Sequence, residues 1–301
     1  MKRRPILSGF VIALIVLAFV YLLVKAANRP VQVHYSGVGI FSGKAIGVLE
    51  IEGAMYSSNK WLENLREFED NSEVKAIVIR INSPGGAVGT AQELYREINR
   101  IKESKPVVAS IENIGASAGY YIASAANKIV LNPGTFTGSI GVIYINFNMG
   151  DLYRWMKVEP QVLKSGKFKD TGSPFRPMTE EEKRLLSDLL AQVHRQFIED
   201  VAKGRGLSVE DVEKIADGRV LTGEQAVELG LADEFGNFND AVNLAAKLAG
   251  IEGKPRLIYP KRRFEWQMLF EALSNVIVGK IMERSSAPMY GPVFGGGGSD
   301  E

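Results

Sequence analysis

The chain has 301 residues, of which 46% are hydrophobic and 24% charged, and its formal net charge is +1. This composition predicts a folded protein with a sizeable core, and the near-neutral charge gives no argument for nucleic-acid binding. Cysteine is absent and histidine occurs only twice. Disulfides, thiol nucleophiles and metal sites built from cysteine or several histidines are therefore excluded, and the sequence indicates no cofactor.

The N-terminus predicts a membrane anchor. The basic residues 1–4 precede an apolar stretch that carries no charge from Pro5 to Val24, and we assign a transmembrane segment to 5–25. Roughly 20 apolar residues match the thickness of the hydrocarbon core. A cleaved signal peptide is the alternative, although its apolar core usually has about 7–15 residues. The basic residues before the segment predict a cytoplasmic N-terminus, with the rest of the chain outside.

After a linker over 26–44, strand and helix patterns alternate. Apolar runs predict strands at 45–53, 75–83 and 106–111, and further strands at KIVLN (128–132) and IGVIYI (140–145). Apolar residues with helical spacing predict helices at 61–68 and 91–101, between the first three strands. This order predicts an α/β protein with a parallel sheet flanked by helices.

The second half of the chain is predicted to be mainly helical. A long helix is expected over about 179–203, with Thr179 and Glu182 as a capping box at its start. Shorter helices near 208–216, 222–230 and 238–249 complete a domain over 45–250. The segment 251–284 is basic and amphipathic, which is compatible with a lid, an oligomer contact, a helix on the membrane surface or a helix docked on the protein itself. The glycine-rich tail, 285–301, is expected to be flexible.

A serine surrounded by small residues is the first candidate for chemistry. Ser117 lies in ENIGASAGYY (112–121), and GASAG has the G-x-S-x-G pattern of a nucleophile elbow between a strand and a helix. Tight helix packing is the alternative explanation for the small residues. A triad would need a histidine later in the chain, but His194 falls in the middle of the long helix and His34 in the linker. We expect neither histidine to be catalytic.

A lysine can also activate a serine. The segment LKSGKFKDTGSPF (163–175) contains Lys164, Lys167 and Lys169, and the residues alone do not choose among them. A solvated basic loop is the alternative. A lysine accepts a proton only in its neutral form, which burial favours.

A second glycine motif supports a catalytic interpretation. INSPGGAVG (81–89) combines a strand end, a turn and two glycines before a helix, and backbone N–H groups freed there can point at an anion. One amide from this motif and the Ala118 amide would form a two-donor oxyanion hole. Such a donor contributes roughly 3–4 kcal/mol in acyl transfer.

Five motifs together resemble the signal peptide peptidase A family of Ser–Lys proteases. They are INSPGG, ASAGYYIASAANKIV, TGSIGV, SGKFKD and ADGRVLTGEQAVELGLADEFG, and their order and spacing agree over about 44–245. The resemblance implies a Clp-protease/crotonase-like α/β fold, with a repeated ββα core, after an N-terminal transmembrane helix. It implies a membrane-anchored serine endopeptidase that degrades remnant signal peptides after their release from preproteins. A protease of other membrane proteins, such as stomatin-like partners, and a non-catalytic scaffold of the same fold are the alternatives.

The resemblance also implies residue roles. Ser117 matches the nucleophile, Lys169 the general base, and Ser139 a hydroxyl that holds the lysine amine. Gly86 matches the oxyanion-hole glycine, with the Ala118 N–H as its partner. The family commonly has glycine directly after the serine, so the Ala118 methyl group is a departure that narrows the nearest subsite. Since Asp170 would oppose a neutral Lys169, we infer that its carboxylate points away.

The same resemblance implies partners and location. The expected partners are hydrophobic signal-peptide remnants, the lipid bilayer and further copies of the chain, and no nucleic acid. Single-domain relatives form ring-like octamers in which serine and lysine come from neighbouring protomers, and the same is expected here. The expected location is the bacterial inner membrane, with a single span and the catalytic domain on the extracytoplasmic side.

Overall fold

The computed structural model describes residues 43–260. The predicted transmembrane segment 5–25, nearly all of the linker 26–44, the part of 251–284 after residue 260 and the tail 285–301 lie outside the described residues. In the described part, no helix is both long and apolar enough to cross a membrane.

Strands and helices alternate through the first half of the described chain, as predicted. The strands are β1 (Ala45–Glu52), β2 (Val74–Ser83), β3 (Val107–Ala116), β4 (Lys128–Leu131), β5 (Phe136–Gly138), β6 (Val220–Thr222), β7 (Glu234–Phe235) and β8 (Arg256–Ile258). The helices are α1 (Asn59–Asp70), α2 (Val88–Ile101), α3 (Ala118–Ala123), α4 (Gly150–Trp155), α5 (Glu180–Arg205), α6 (Val209–Glu213), α7 (Gly223–Glu228) and α8 (Phe238–Leu248).

The strands form one mixed sheet in the order β6-β5-β3-β2-β1-β8, with β4 paired to β3 and to β7. The pairings are parallel except for β5 with β6, which confirms the predicted parallel arrangement at the centre of the sheet. The long strand β3 pairs with β4 over 108–111 and with β5 over 114–116. Its carboxyl end therefore lies beside β5. The pairing of β8 with β1 extends the sheet beyond residue 250.

The central strands are mostly apolar because both faces of the sheet are covered. In β2, Ala76 and Val78 pack in a cluster with α8, whereas Ile77, Ile79 and Ile81 face the opposite cluster with helices α1, α2 and α3. Side chains alternate between the two faces of a strand, so each face of β2 contributes to a separate core layer.

The strand predicted at 140–145 is wrong. The chain pairs earlier, at Phe136–Gly138, and residues 139–149 form neither helix nor strand. A strand needs a neighbour for its backbone groups, and β6 takes the free edge of β5 instead. As a result, the side chains of Ile143, Tyr144 and Ile145 are exposed.

The long helix α5 matches its prediction closely. Thr179 and Glu182 form the expected capping box, and Gly206 ends the helix in the left-handed conformation. Only the carboxyl-terminal part of α5 packs into the core, through Phe197, Ile198, Val201 and Ala202.

Candidate active site

Ser117 lies in a tight turn between strand β3 and helix α3. β3 ends at Ala116 and α3 begins at Ala118, and Ser117 has φ 51° and ψ −120°. Its N–H donates a hydrogen bond to Gly138 O in β5 at 2.9 Å. Positive φ is uncommon for a residue with a side chain and is a form of backbone strain found at functional sites. The strand–turn–helix context of the G-x-S-x-G pattern is thus present.

Small residues around Ser117 are needed because two backbone segments touch there. A Cβ atom on Gly85 would lie 2.8 Å from Ser117 Cβ, and one on Gly119 would lie 2.8 Å from Ser83 O. The end of β2 is therefore packed directly against the start of α3. The packing explanation and the nucleophile explanation for the small residues are compatible, since the same close approach brings the glycine motif to the serine.

The backbone around Gly86 is held by Met55. Met55 N–H donates to Gly85 O at 2.9 Å, and Ala87 N–H donates to Met55 O at 2.8 Å. This pairing does not use the Gly86 N–H, whereas the Gly85 N–H donates to Ser83 Oγ at 3.2 Å. Gly86 is therefore the better placed of the two glycines to donate to a substrate.

Ala118 is the second expected donor of the oxyanion hole. It is the first residue of α3, so its N–H has no acceptor within the helix. The arrangement is compatible with an oxyanion hole formed by Gly86 and Ala118, which stays a prediction.

Ser139 and Ser117 lie at the carboxyl ends of two neighbouring parallel strands. Gly138 is the register partner of Ala116 across the β3–β5 pair, so the two serines follow directly on neighbouring strands. Ser139 also has φ 51°, and its N–H donates to Arg219 O at 2.8 Å. The fold thus brings together Ser117, Ser139 and the glycine motif, which lie far apart in the sequence.

Lys169 is not joined to this group within the described chain. It is exposed and lies between α4 and α5, where its N–H donates to Gly166 O at 3.3 Å. Among residues 43–260, no hydrogen bond or ion pair connects Lys169 to Ser117 or Ser139. Its role as the general base stays a prediction.

The two alternative lysines are engaged by carboxylates. Lys164 Nζ lies 2.5 Å from Asp170 Oδ1, and Lys167 Nζ lies 2.6 Å from Glu181 Oε1. The described residues supply no such partner for the Lys169 ammonium group. The Asp170 carboxylate faces Lys164 and Arg176, as expected for a carboxylate that points away from Lys169.

An aromatic cluster packs against helix α3, and no local sequence pattern predicts it. Tyr121 N–H donates to Ser117 O at 2.8 Å, and the Tyr121 ring stacks on Phe197 of α5 with ring centroids 4.3 Å apart. The Tyr121 hydroxyl donates to Asp200 Oδ2 at 2.5 Å. Burial raises the pKa of Tyr121 well above its ordinary value, so the phenol stays protonated as a donor.

Tyr95 of α2 completes the cluster, with its ring edge-on to Tyr121 at 5.4 Å. Its hydroxyl donates to Asp200 O at 2.7 Å, and burial raises the pKa of Tyr95 to about 12. Because these contacts join residues about 80–105 positions apart in the chain, helical periodicity could mark the residues as core but could not pair them.

The histidine and metal alternatives receive no support from the described residues. His194 lies in α5, and its Nε2 is buried without a hydrogen-bond partner among residues 43–260. His34 lies outside the described residues. Within the same range, no cluster of three or more His, Asp or Glu side chains is arranged to hold a metal ion.

Comparison with known proteins gives the family. Residues 99–252 match the model of peptidase family S49, and residues 40–132 match that of Clp protease. The chain is 43% identical over 211 residues to "Putative protease slr0021" of Synechocystis sp.. The aligned residues are 69% of this chain and 76% of the relative. It is 30% identical over 278 residues to "Putative signal peptide peptidase SppA" of Enterococcus faecium, and the aligned residues are 82% of this chain and 81% of that relative.

A longer relative shows the same similarity over part of its length. Protease 4 of Haemophilus influenzae is 32% identical over 213 residues, which are 67% of this chain and 34% of that protein. The S49 match spans the Ser117 turn, Ser139 and Lys169. Together with the named relatives it confirms the resemblance to the signal peptide peptidase A family, and the Clp protease match confirms a Clp-protease-like α/β fold. The chain therefore belongs to peptidase family S49 and is a serine peptidase.

Proposed function

We propose that the protein is a membrane-anchored endopeptidase that uses a Ser117–Lys169 dyad to degrade remnant signal peptides. The main support is the Ser117 turn, where a strained serine lies beside the glycine motif and Ser139 at one edge of the sheet. A hydroxyl at a strand end, with unengaged backbone N–H groups beside it, suits acyl transfer.

The proposed chemistry uses protein side chains, backbone N–H groups and one water molecule. Lys169 in its neutral form takes the proton of Ser117 as the serine oxygen attacks the peptide carbonyl, and Gly86 and Ala118 N–H groups bind the oxyanion. The lysine ammonium then gives the proton to the leaving amine, and the neutral lysine activates the water that hydrolyses the acyl-enzyme. Ser139 holds the lysine amine during both steps.

The substrate and the location rest on the sequence and the relatives. The E. faecium relative bears the name signal peptide peptidase, and an apolar segment at 5–25 would place the enzyme where signal-peptide remnants remain, in the bacterial inner membrane with the catalytic domain outside. Peptide profiles of membranes with and without the enzyme test this substrate. Accumulation of stomatin-like proteins instead of signal-peptide fragments would favour the alternative substrate.

The dyad has a direct test in activity-based labelling and peptidase assays. Ser117→Ala and Lys169→Ala should each lower kcat/KM by at least about 10³-fold, with the melting temperature nearly unchanged. Lys169→Arg should be equally inactive because arginine cannot give up its proton. Lys214→Ala serves as the matched control, because Lys214 pairs with Asp211 on an exposed surface outside the lysine segment. A fully active Lys169→Arg would mean that another group is the base, and failure of a fluorophosphonate to label Ser117 in the wild type would favour a non-catalytic scaffold.

We also propose that the active site is shared between protomers of a ring, as an octamer. Two observations support this: Lys169 is exposed and not joined to Ser117 in the described chain, and the segment 143–163 exposes large apolar side chains. These are Ile143, Tyr144, Ile145, Phe147, Met149, Leu152, Trp155, Met156, Val158, Val162 and Leu163. An exposed apolar surface of this kind indicates an interface, and a second copy of the chain would cover it.

Mixing two inactive variants tests the shared site. When Ser117→Ala and Lys169→Ala proteins exchange subunits, some sites pair an intact serine from one chain with an intact lysine from the other, so part of the activity should return. If a tag pull-down shows exchange and no activity returns, each site is built within one chain.

A further inference from the structure

The segment that contains Lys169 is not part of a helix or a β-sheet. Residues 156–179 join α4 to α5 and form neither helix nor strand. Short backbone turns such as Thr171 N–H to Phe168 O at 3.1 Å set its local shape. One backbone hydrogen bond, from Met149 N–H to Pro174 O at 2.7 Å, joins the segment to the residue before α4. Its ion pairs with α5 are made by side chains.

The residue next to Lys169 is held at both carboxylate oxygens. Asp170 Oδ1 accepts from Lys164 Nζ at 2.5 Å, and Asp170 Oδ2 accepts from Arg176 Nε at 3.2 Å and lies 2.9 Å from Arg176 Nη2. Its side chain is only 14% exposed. These hydrogen bonds lower the pKa of Asp170 below its ordinary value, so the carboxylate remains charged at neutral pH.

Arg176 links Asp170 to helix α5 by also binding Glu182. Its Nη1 donates to Glu182 Oε2 at 2.8 Å, and its Nη2 donates to Glu182 Oε1 at 2.6 Å. Glu182 also accepts from Thr179 N–H at 2.8 Å as part of the capping box. A two-bond arginine–carboxylate pair fixes direction as well as distance, so Arg176 has little freedom to rotate.

Glu182 is an unusual residue for its place in α5. Between residues 180 and 196 it is the buried side chain, 4% exposed, in a stretch whose other side chains are exposed or half-buried. The same helix is fixed at its far end in the core through Phe197 and Val201. Glu182 is thus a charged anchor on a rigid element.

The other side of Lys169 is tied to the same helical turn. Lys167 pairs with Glu181, while Asp170 reaches Glu182 through Arg176. The residues on both sides of Lys169 are therefore anchored to two consecutive residues of α5. Lys169 lies between the two anchored residues in the sequence, and its side chain has no carboxylate partner among the described residues.

We propose that Asp170, Arg176 and Glu182 form an ionic clamp that positions Lys169 for proton transfer. The three residues are positioning residues that act through Lys169, and the proposal rests on the proposed role of Lys169 as the general base. A base must be held close to its productive position, since a displacement of about 1 Å can cost on the order of 100-fold in rate. In an assembly, the same clamp would present the lysine to the neighbouring protomer's serine.

Steady-state kinetics of the full chain with a chromogenic peptide test the clamp. Arg176→Met should lower kcat by about 10- to 100-fold and change KM by less than about threefold, because substrate contacts are untouched. Arg176→Lys should recover only part of kcat, since an ammonium group cannot form the two-bond pair. Arg195→Met is the matched control, because Arg195 pairs with Glu199 on the exposed surface of the same helix and its loss should leave kcat unchanged.

A double variant separates positioning from a general structural effect. The rate of Ser117 labelling by a fluorophosphonate should fall in Arg176→Met, but Arg176→Met should cause no further fall when Lys169→Ala is already present. Additive slowing in the double variant would overturn the positioning role. If Arg176→Met fails to fold, Asp170→Asn keeps the shape of the side chain and takes its place in the same cycle.

The outcomes distinguish the clamp from the proposed base. Wild-type kcat in Arg176→Met and Asp170→Asn, together with an inactive Lys169→Ala, would overturn the clamp and leave the dyad standing. Full activity in Lys169→Ala would overturn the dyad, and the clamp with it.

Discussion

The two halves of the proposed active site are held in place by different physical means. The nucleophile region (Ser117, Ser139 and the glycine motif 84–86) is fixed by backbone contacts between neighbouring strand ends. The lysine segment (156–179) is joined to helix α5 by side-chain ion pairs, and Asp170 pairs with Arg176 within the segment. Backbone packing leaves little room for change, whereas ion pairs near a surface contribute less and respond to salt and pH. The position of Ser117 is thus determined by backbone packing. The position of the lysine segment depends on ion pairs, which can rearrange when a partner binds.

The largest effect should come from adding one methyl group in the nucleophile region. Gly85→Ala would place its Cβ 2.8 Å from Ser117 Cβ, at a residue with φ 120°. We expect peptidase activity to fall by at least about 100-fold, because displacing the serine by about 1 Å has that effect. The melting temperature should also drop, since backbone strain of this kind costs about 1–3 kcal/mol.

Gly89→Ala is the matched control for this change. Gly89 lies four residues later in α2, where an added Cβ would meet no atom within 4 Å. Alanine should stabilise the helix there by roughly 0.5–1 kcal/mol, with activity unchanged. If the two variants behave alike in thermal melts and peptidase assays, close backbone contact does not fix the nucleophile.

A core substitution behind α3 should have the next largest effect. Phe197→Ala removes the ring that stacks on Tyr121, one turn after Ser117, and should lower the free energy of unfolding by about 3–5 kcal/mol. Leu189→Ala on the exposed part of the same helix, where Leu189 is 49% exposed, should change it by less than about 0.5 kcal/mol. Urea unfolding measures both. Equal stability losses would show that the amino-terminal part of α5 is buried in solution, for instance in an assembly.

The smallest effect concerns pH and the lysine segment. Hydrogen bonds from Arg176 hold the pKa of Glu182 well below its ordinary value of 4.5. A carboxyl with a lowered pKa in the folded state stabilises the protein above its ordinary pKa, and this stabilisation is lost as pH falls towards the folded-state value. The difference in unfolding free energy between wild type and Glu182→Gln should therefore be largest near neutral pH and shrink below 4.5.

Urea unfolding of both proteins across this pH range measures the difference. A constant offset from neutral to acidic pH would show that the Glu182 charge contributes nothing to the stability of this region.

Local sequence patterns determined much of the fold and one half of the site. Mostly apolar runs marked the central strands β1 to β3, because strands buried on both faces have few polar positions. The Thr179–Glu182 capping box marked the start of α5 to within one residue, because a helix start is satisfied by groups only three residues apart. The small residues around Ser117 marked the turn between β3 and α3, because two backbones can approach closely only where side chains are small.

The tertiary structure decided what depends on distant neighbours. IGVIYI has a strand-like composition, yet no strand forms there, because composition cannot tell whether a partner edge is free. The pairing of Tyr121 with Phe197 and the burial of Glu182 also join residues that no local pattern relates. The sequence thus predicted Ser117 as a nucleophile and one segment with three lysines as the source of a base, and only the family resemblance selected Lys169 among them. Only the three-dimensional arrangement decided that the backbone holds the serine while an ionic network holds the segment of the lysine, since both depend on contacts between elements far apart in the chain.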